Sequence, residues 1–202
     1  HRVSRRQRQM CIRDSTYDVH DLIREFLLRS LSTALREEFH GKCAEWYQKQ
    51  TSSYEVQIEL IYHAIKSSQF EAASEIVVND GRQLVSQGYM ELLGLIEQIE
   101  TDDLTSSVVI RMAQLQGDIL ALLGRLNEAE TVLNDTLERA QSTAGELVQA
   151  EILSSLADVS RKQGNSELSL NRHKAALKHY ISLGNARWAA RTYNNIGYLL
   201  RR

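Results

Sequence analysis

Residues 150–184 read AEILSSLADVSRKQGNSELSLNRHKAALKHYISLG, and the segments on either side of them fall into the same register. The stretch is two helical patterns joined at Gly164-Asn165. A shift of 40 residues brings like residues into line: Gly117, Ala157 and Gly197 in the first helix, Gly124 and Gly164 at the turn. In the second helix Ala129 aligns with Ser169 and Leu137 with Leu177. Recurrence at a fixed period of roughly 20–50 residues marks stacked helical hairpins. A small residue midway along the first helix lets its partner approach closely. Glycine at the turn supplies a left-handed cap for the helix it ends.

Composition agrees with an all-helical chain. The 202 residues contain no proline, and 43% of them are hydrophobic. Leu, Ala, Glu, Gln and Arg, all strong helix formers, are abundant. No apolar run approaches the roughly 18 residues a membrane span needs, and no signal peptide is evident. Two well-separated cysteines argue against a disulfide scaffold and for a reducing, cytoplasmic setting. The net charge of −2 is uneven: residues 1–15 carry five Arg against one Asp, which leaves −6 on the remainder. The body of the chain therefore offers no broad basic field, and direct nucleic-acid contact is not expected from it.

The hairpin register resembles that of tetratricopeptide arrays, with each unit about six residues longer than the usual 34. The expected fold is all-α, a right-handed helical-hairpin array of the α-solenoid kind. Repeats run from about Ile110, Ala150 and Ala190 within a region spanning 105–202. The third repeat stops at Arg202 before its second helix, so the chain is expected to be a fragment at both ends. Residues 101–107 (TDDLTSS) form a polar break and the expected subdomain boundary.

Upstream, residues 49–104 read as a helical connector. Tyr54, Ile58, Ile61 and Ile65 mark one helix, and Phe70, Ala73, Ile76 and Val77 another. Leu84–Val85 and Leu92, Leu93, Ile96 and Ile99 suggest two more, separated near Gly88. Before the connector, Leu31, Leu35, Phe39, Cys43 and Trp46–Tyr47 keep helical spacing. Residues 1–15 are basic and aperiodic and are set aside as non-native or disordered sequence, with a basic nucleic-acid arm as the other reading.

Residues 17–28, YDVHDLIREFLL, form a capped amphipathic pattern with a histidine at its start. The segment Val19-His20-Asp21-Leu22-Ile23-Arg24-Glu25-Phe26 resembles the motif that closes the winged-helix domain of signal-transduction ATPases of the NB-ARC and maltose-activator type. The resemblance makes residues 16–48 the end of a winged-helix region. It implies that His20 reaches the β-phosphate of ADP bound by an upstream domain, with Asp21 supporting the local fold. Trp46–Tyr47, His63–Ala64 and Ala72–Ala73 resemble the helical segment that follows the winged helix in that class. The family implies ADP or ATP as cofactor of a larger parent and oligomerisation of that parent. No cofactor is expected in this chain.

The sequence carries no motif for catalysis. There is no Gly-x-x-x-x-Gly-Lys-Ser/Thr phosphate loop, no Gly-x-Ser-x-Gly elbow and no Cys-x-x-Cys. Glu37, Glu38, His40 and Cys43 cluster, but without a distant second pair of ligands no metal site is expected. Trp46, Tyr47, Tyr180 and Trp188 read as core aromatics.

What remains is a groove. In a tetratricopeptide hairpin the first helix lines the concave face, which assigns Arg111, Gln114 and Asp118 from the first repeat. The second repeat supplies Glu151, Ser154, Asp158 and Arg161, and the third Arg191, Asn194, Tyr198 and Arg201. This mixture of Arg, Asn, Asp and Tyr suits a protein, a peptide or a small polar effector. Only Asn194–Asn195 resemble the Lys/Asn-rich carboxylate clamp of chaperone-binding arrays. The expected function is a non-catalytic sensor region of a multidomain signalling ATPase or transcriptional regulator. The alternative is a stand-alone repeat scaffold for protein partners.

Overall fold

The computed structural model describes residues 30–50 and 53–201. Residues 1–15, His20 and Asp21 lie outside the described residues. All regular structure among the described residues is helical. In chain order the helices are α1 (Thr33–Gln48), α2 (Tyr54–Lys66), α3 (Phe70–Ser86) and the single-turn-scale α4 (Leu92–Ile96). They continue as α5 (Ser106–Leu122), α6 (Leu126–Thr143), α7 (Glu146–Lys162), α8 (Ser166–Ser182) and α9 (Ala186–Leu200). The first helices of the three repeats thus begin at 106, 146 and 186, in step with the sequence period. Leu84 and Val85 do not start a helix of their own; they are the buried last turn of α3. No helix among the described residues is long and apolar enough to cross a membrane.

One turn recurs at five junctions and explains the spacing. Ser68, Gly88, Gly124, Gly164 and Gly184 all have positive φ. At each, the next residue's N–H returns to the carbonyl five positions back: Gln69 to Ala64, Tyr89 to Leu84, Arg125 to Leu120, Asn165 to Ser160 and Asn185 to Tyr180. This is the Schellman closure, which satisfies carbonyls the helix end would otherwise leave unpaired. In the last two turns the residue after glycine also caps the next helix. Asn165 Oδ1 accepts from the Leu168 N–H at 3.1 Å, and Asn185 Oδ1 from that of Trp188 at 3.3 Å. One Gly-Asn pair therefore ends one helix and starts the next.

The helices pack as neighbouring pairs: α1 on α2, α2 on α3, α5 on α6, α7 on α8 and α8 on α9. Between hairpins, α5 lies against α7 and α6 against α7. The polar segment 101–105 is a loop, yet α3 and α4 both pack on α5 across it. Gly81 in α3 makes that contact close, since a Cβ there would run into Leu115 of α5. The apolar core accordingly runs unbroken from Ile61 of α2 through Leu84, Leu92, Ile119 and Leu133 to Val159 of α7. Each fully buried Leu or Ile in it contributes on the order of 1.5–3 kcal/mol.

Inside the first hairpin, Leu133 of α6 fills the notch at Gly117; a Cβ there would sit 2.6 Å from the Leu133 Cγ. In the second hairpin Ala157 is fully buried, and its carbonyl accepts from Ser169 Oγ at 2.8 Å. At Gly197, the third member of the series, nothing lies within 4 Å of where a Cβ would be. The outer face of α9 is open, with Tyr193, Tyr198 and Leu200 exposed. Of the four expected core aromatics, Tyr47 and Tyr180 are buried and Trp188 half-buried, whereas Trp46 is 51% exposed. Trp46 precedes Tyr47 on the helix by one residue, and only one of two adjacent positions can face α2.

Candidate functional site

The first helices of the hairpins line a cleft of about 390 Å³, within the usual range for ligand sites. Seven of the eleven groove residues expected from the repeat register line it: Gln114, Asp118, Glu151, Ser154, Asp158, Arg161 and Arg191. Arg111, Asn194, Tyr198 and Arg201 do not. The pattern of inclusion has a simple geometry. From α5 the cleft takes Gln114 onward to Leu122, from α7 the span Glu151 to Lys162, and from α9 Trp188 to Asn195. It therefore crosses the array on a diagonal. The N-terminal part of α5 and the C-terminal part of α9 fall off that line, and on α9 Asn195 takes the place expected of Asn194.

Four of the lining residues outside the expected groove set, Arg82, Ser155, Tyr180 and Trp188, shape the site. Arg82 comes from α3, in the connector, where the 40-residue register does not apply. Its guanidinium reaches Glu151 of α7 at 3.2 Å across the cleft, so the connector forms one wall of the site. Tyr180 and Trp188, read as core, form the aromatic wall and stack at 6.0 Å between ring centroids. Ser155 donates a hydrogen bond to the Asp118 carboxylate.

Charge is distributed in pairs. Arg82 holds Glu151, and Arg161 stands 3.7 Å from Asp158. Lys162 donates from Nζ to the Ala121 carbonyl at 2.7 Å. The Arg191 guanidinium lies over the Trp188 ring, 5.0 Å from its centroid, a favourable cation–π placement. Ser154 Oγ donates to the Ala150 carbonyl at 3.0 Å and lies 3.2 Å from the Tyr180 hydroxyl. Burial holds the Tyr180 phenol above its ordinary pKa.

Two groups at the floor are less well served. Gln114 is 2% exposed, and its Nε2 has no hydrogen-bond partner among the described residues. Asp118, one turn further along α5, is half-buried. Burial pushes its carboxyl above the usual range, opposed by the Ser155 hydrogen bond and the charge of Arg82 and reinforced by Asp158 and Glu151.

A second polar cluster lies between α1 and α2. His40 Nδ1 and His63 Nδ1 are 2.8 Å apart, with ring centroids at 5.0 Å. The centroid separation fits two nitrogens lying nearly on the line between the rings. That is the arrangement of a shared proton, not of two lone pairs converging on a third atom. Burial, then the neighbouring His40, lowers the His63 pKa to about 4. Tyr47 stacks on His63 at 5.5 Å. This cluster joins α1 and α2.

No family model matches the chain, and no curated protein matches it in sequence. Among solved structures the chain is similar to BtubC (BKLC) from P. vanneervenii, at 17% identity and a TM-score of 0.48. The match covers 84% of this chain and 66% of that one. At that identity the likeness is one of helical architecture alone.

Proposed function

We propose that this chain is a non-catalytic binding region that holds a protein segment, a peptide or a small polar effector in the diagonal cleft. The observation that carries the reading is the Gln114 amide, buried at the cleft floor with an unpaired donor. Leaving such a group unpaired costs about 1–3 kcal/mol, and an acceptor on a bound molecule removes that cost. Ser154 meets a phenol and a backbone carbonyl, and neither activates it as a nucleophile. Polar side chains from several helices converging on one concavity suit recognition.

Within the family that residues 17–28 resemble, such a region is the sensor of a multidomain signalling ATPase. Ligand on the array would then shift a closed ADP-bound state toward an open one. Moving such a switch from 1:99 to 99:1 needs a differential affinity of about 5.5 kcal/mol, which a cleft crossing several repeats is large enough to supply. In this reading His20 works only with an upstream nucleotide domain. The chain by itself should bind ADP no tighter than about millimolar, because one imidazole at a helix start does not offset the cost of immobilising the ligand.

The cleft is tested by blocking it. Ser154→Trp places an indole in the middle of the lining. A fragment and peptide screen against the native chain should yield ligands whose binding drops at least tenfold in that variant, with the helical circular dichroism unchanged. Ligands that bind both forms equally would place recognition elsewhere and remove the reading.

A further inference from the structure

Resting on the reading of the cleft as a ligand site, we infer that its ligand carries an ammonium or guanidinium group beside a carbonyl or carboxylate oxygen. Asp118 takes the cation and Gln114 donates to the oxygen. This is the pairing found in free amino acids and at peptide N-termini.

The inference follows from which groups in the cleft are already matched. Glu151 and Asp158 each have an arginine, Arg82 and Arg161. Lys162 is engaged by the Ala121 carbonyl. Asp118 has only the Ser155 hydroxyl; among the described residues no Lys, Arg or His nitrogen lies within 4 Å of its carboxylate. Gln114 precedes it by one turn on the same face of α5, and its Nε2 has no partner among the described residues. On the α9 wall, Arg191 rests on an aromatic ring and no carboxylate lies within 4 Å of it among the described residues. The charged groups left unmatched are therefore one acid and one base, with the neutral Gln114 donor beside the acid.

A purely anionic ligand would suit Gln114 and Arg191 but would set its charge against Asp118, Glu151 and Asp158. A purely cationic one would leave Gln114 unpaired and meet Arg191. A ligand with both signs answers all three groups, its acceptor oxygen lying on Gln114 and toward Arg191. Burial supports the same choice. It already drives the Asp118 carboxyl toward its protonated form, and a bound cation is what restores the carboxylate.

The test titrates the isotopically labelled chain with three probes followed by NMR. They are L-arginine, the tripeptide Arg-Gly-Gly, and N-acetyl-L-citrulline, whose urea side chain and acylated amine leave it a carboxylate but no cation. The expected result is a saturable shift of the Gln114 side-chain amide with L-arginine, with the tripeptide, or with both. Affinity for N-acetyl-L-citrulline should be at least tenfold lower. The tighter of the first two probes names the source, free amino acid or peptide N-terminus. Asp118→Asn should reduce the discrimination to less than twofold. In the native chain, lowering the pH until Asp118 protonates should do the same without any substitution. Equal binding of N-acetyl-L-citrulline, discrimination that survives Asp118→Asn or acidification, or no movement of the Gln114 amide with any probe would overturn the inference. The two readings fail separately. Ligands of another charge type that are blocked by Ser154→Trp would leave the cleft reading standing and remove this one, whereas ligands indifferent to Ser154→Trp would remove both.

Discussion

The two complete hairpins, α5–α6 and α7–α8, share a period, a turn and a small-residue notch, yet they are filled with different chemistry. Where the first hairpin sets Leu133 into the Gly117 notch, the second has Ala157 and His173, both fully buried, at the equivalent positions 40 residues on. His173 is fully buried, and neither ring nitrogen has a partner among the described residues. Val132 is replaced by Arg172, and Leu120 by Ser160. Arg172 bonds Glu130 of the first hairpin at 2.8 Å and also reaches Ser160 Oγ and the Leu156 carbonyl. Glu130 in turn accepts from Gln163 Nε2 at 2.9 Å. The first hairpin is therefore held by apolar packing, whereas the second adds to its own apolar cluster a polar network that ties it to the first. The difference teaches that the repeat sets backbone path and close approach, while the material in the gap is free to change.

The largest effect is expected from removing the apolar filler. Leu133→Ala leaves a cavity against Gly117 and should cost about 2–5 kcal/mol in denaturant unfolding. A loss below 1 kcal/mol would mean the first hairpin is not held as described. The converse change sharpens the comparison. His173→Leu with Ala157→Gly transplants the first hairpin's pair into the second and removes two buried unpaired nitrogens. It should raise stability by about 1–2 kcal/mol, and a clear destabilisation would show that the His173 ring is doing something the contacts do not reveal.

Acid should separate the hairpins without any substitution. Burial lowers the His173 pKa below 6.5, with Asp158 opposing the shift and Arg161 adding to it. A group whose folded pKa is depressed contributes stability above its unfolded value and loses it as pH falls through the folded one. Residues 106–143 contain no histidine. Glu130, held low first by Gln163 and then by Arg172, adds a second loss to the α6–α7–α8 network below about pH 4.5. Hydrogen exchange at pH 7 and pH 5.5 should therefore show α8 losing protection before α5. Equal loss in both would contradict the assignment. The His63 pKa of about 4 predicts a parallel loss at the α1–α2 contact between pH 6.5 and 4.

The smallest effect belongs to the one turn of the five that lacks glycine. Ser68 sits at φ 58° where the others have glycine. Ser68→Gly relieves that backbone conformation and should change stability by about 1 kcal/mol or less in the favourable direction. A destabilisation of that size would show that the Ser68 side chain contributes more than its backbone conformation costs.

Much of this was legible in the sequence, and for physical reasons. A fixed period and glycines at the turns constrain the backbone directly, so helix starts at 106, 146 and 186 follow the register. The notch at Gly117 was legible because only a residue without Cβ admits Leu133. Central positions of the groove followed the same rule: Gln114 and Ser154, and Asp118 and Asp158, are register equivalents that all line the cleft. Its ends did not, because the diagonal path depends on how successive hairpins are turned relative to one another, which no single repeat encodes. Arg82 was invisible for a different reason. It lies outside the repeats, and its contact with Glu151 spans 69 residues.

The central claim is that α3, α5, α7 and α9 present one continuous site. It is tested most directly by chemical-shift mapping with any ligand that saturates the chain. The expected result is that side-chain signals of Arg82, Gln114 and Arg191 move together along a single binding isotherm, while those of Arg139 and Lys174 on the second helices stay still. Shifts confined to one helix, or centred on α6 and α8, would contradict it.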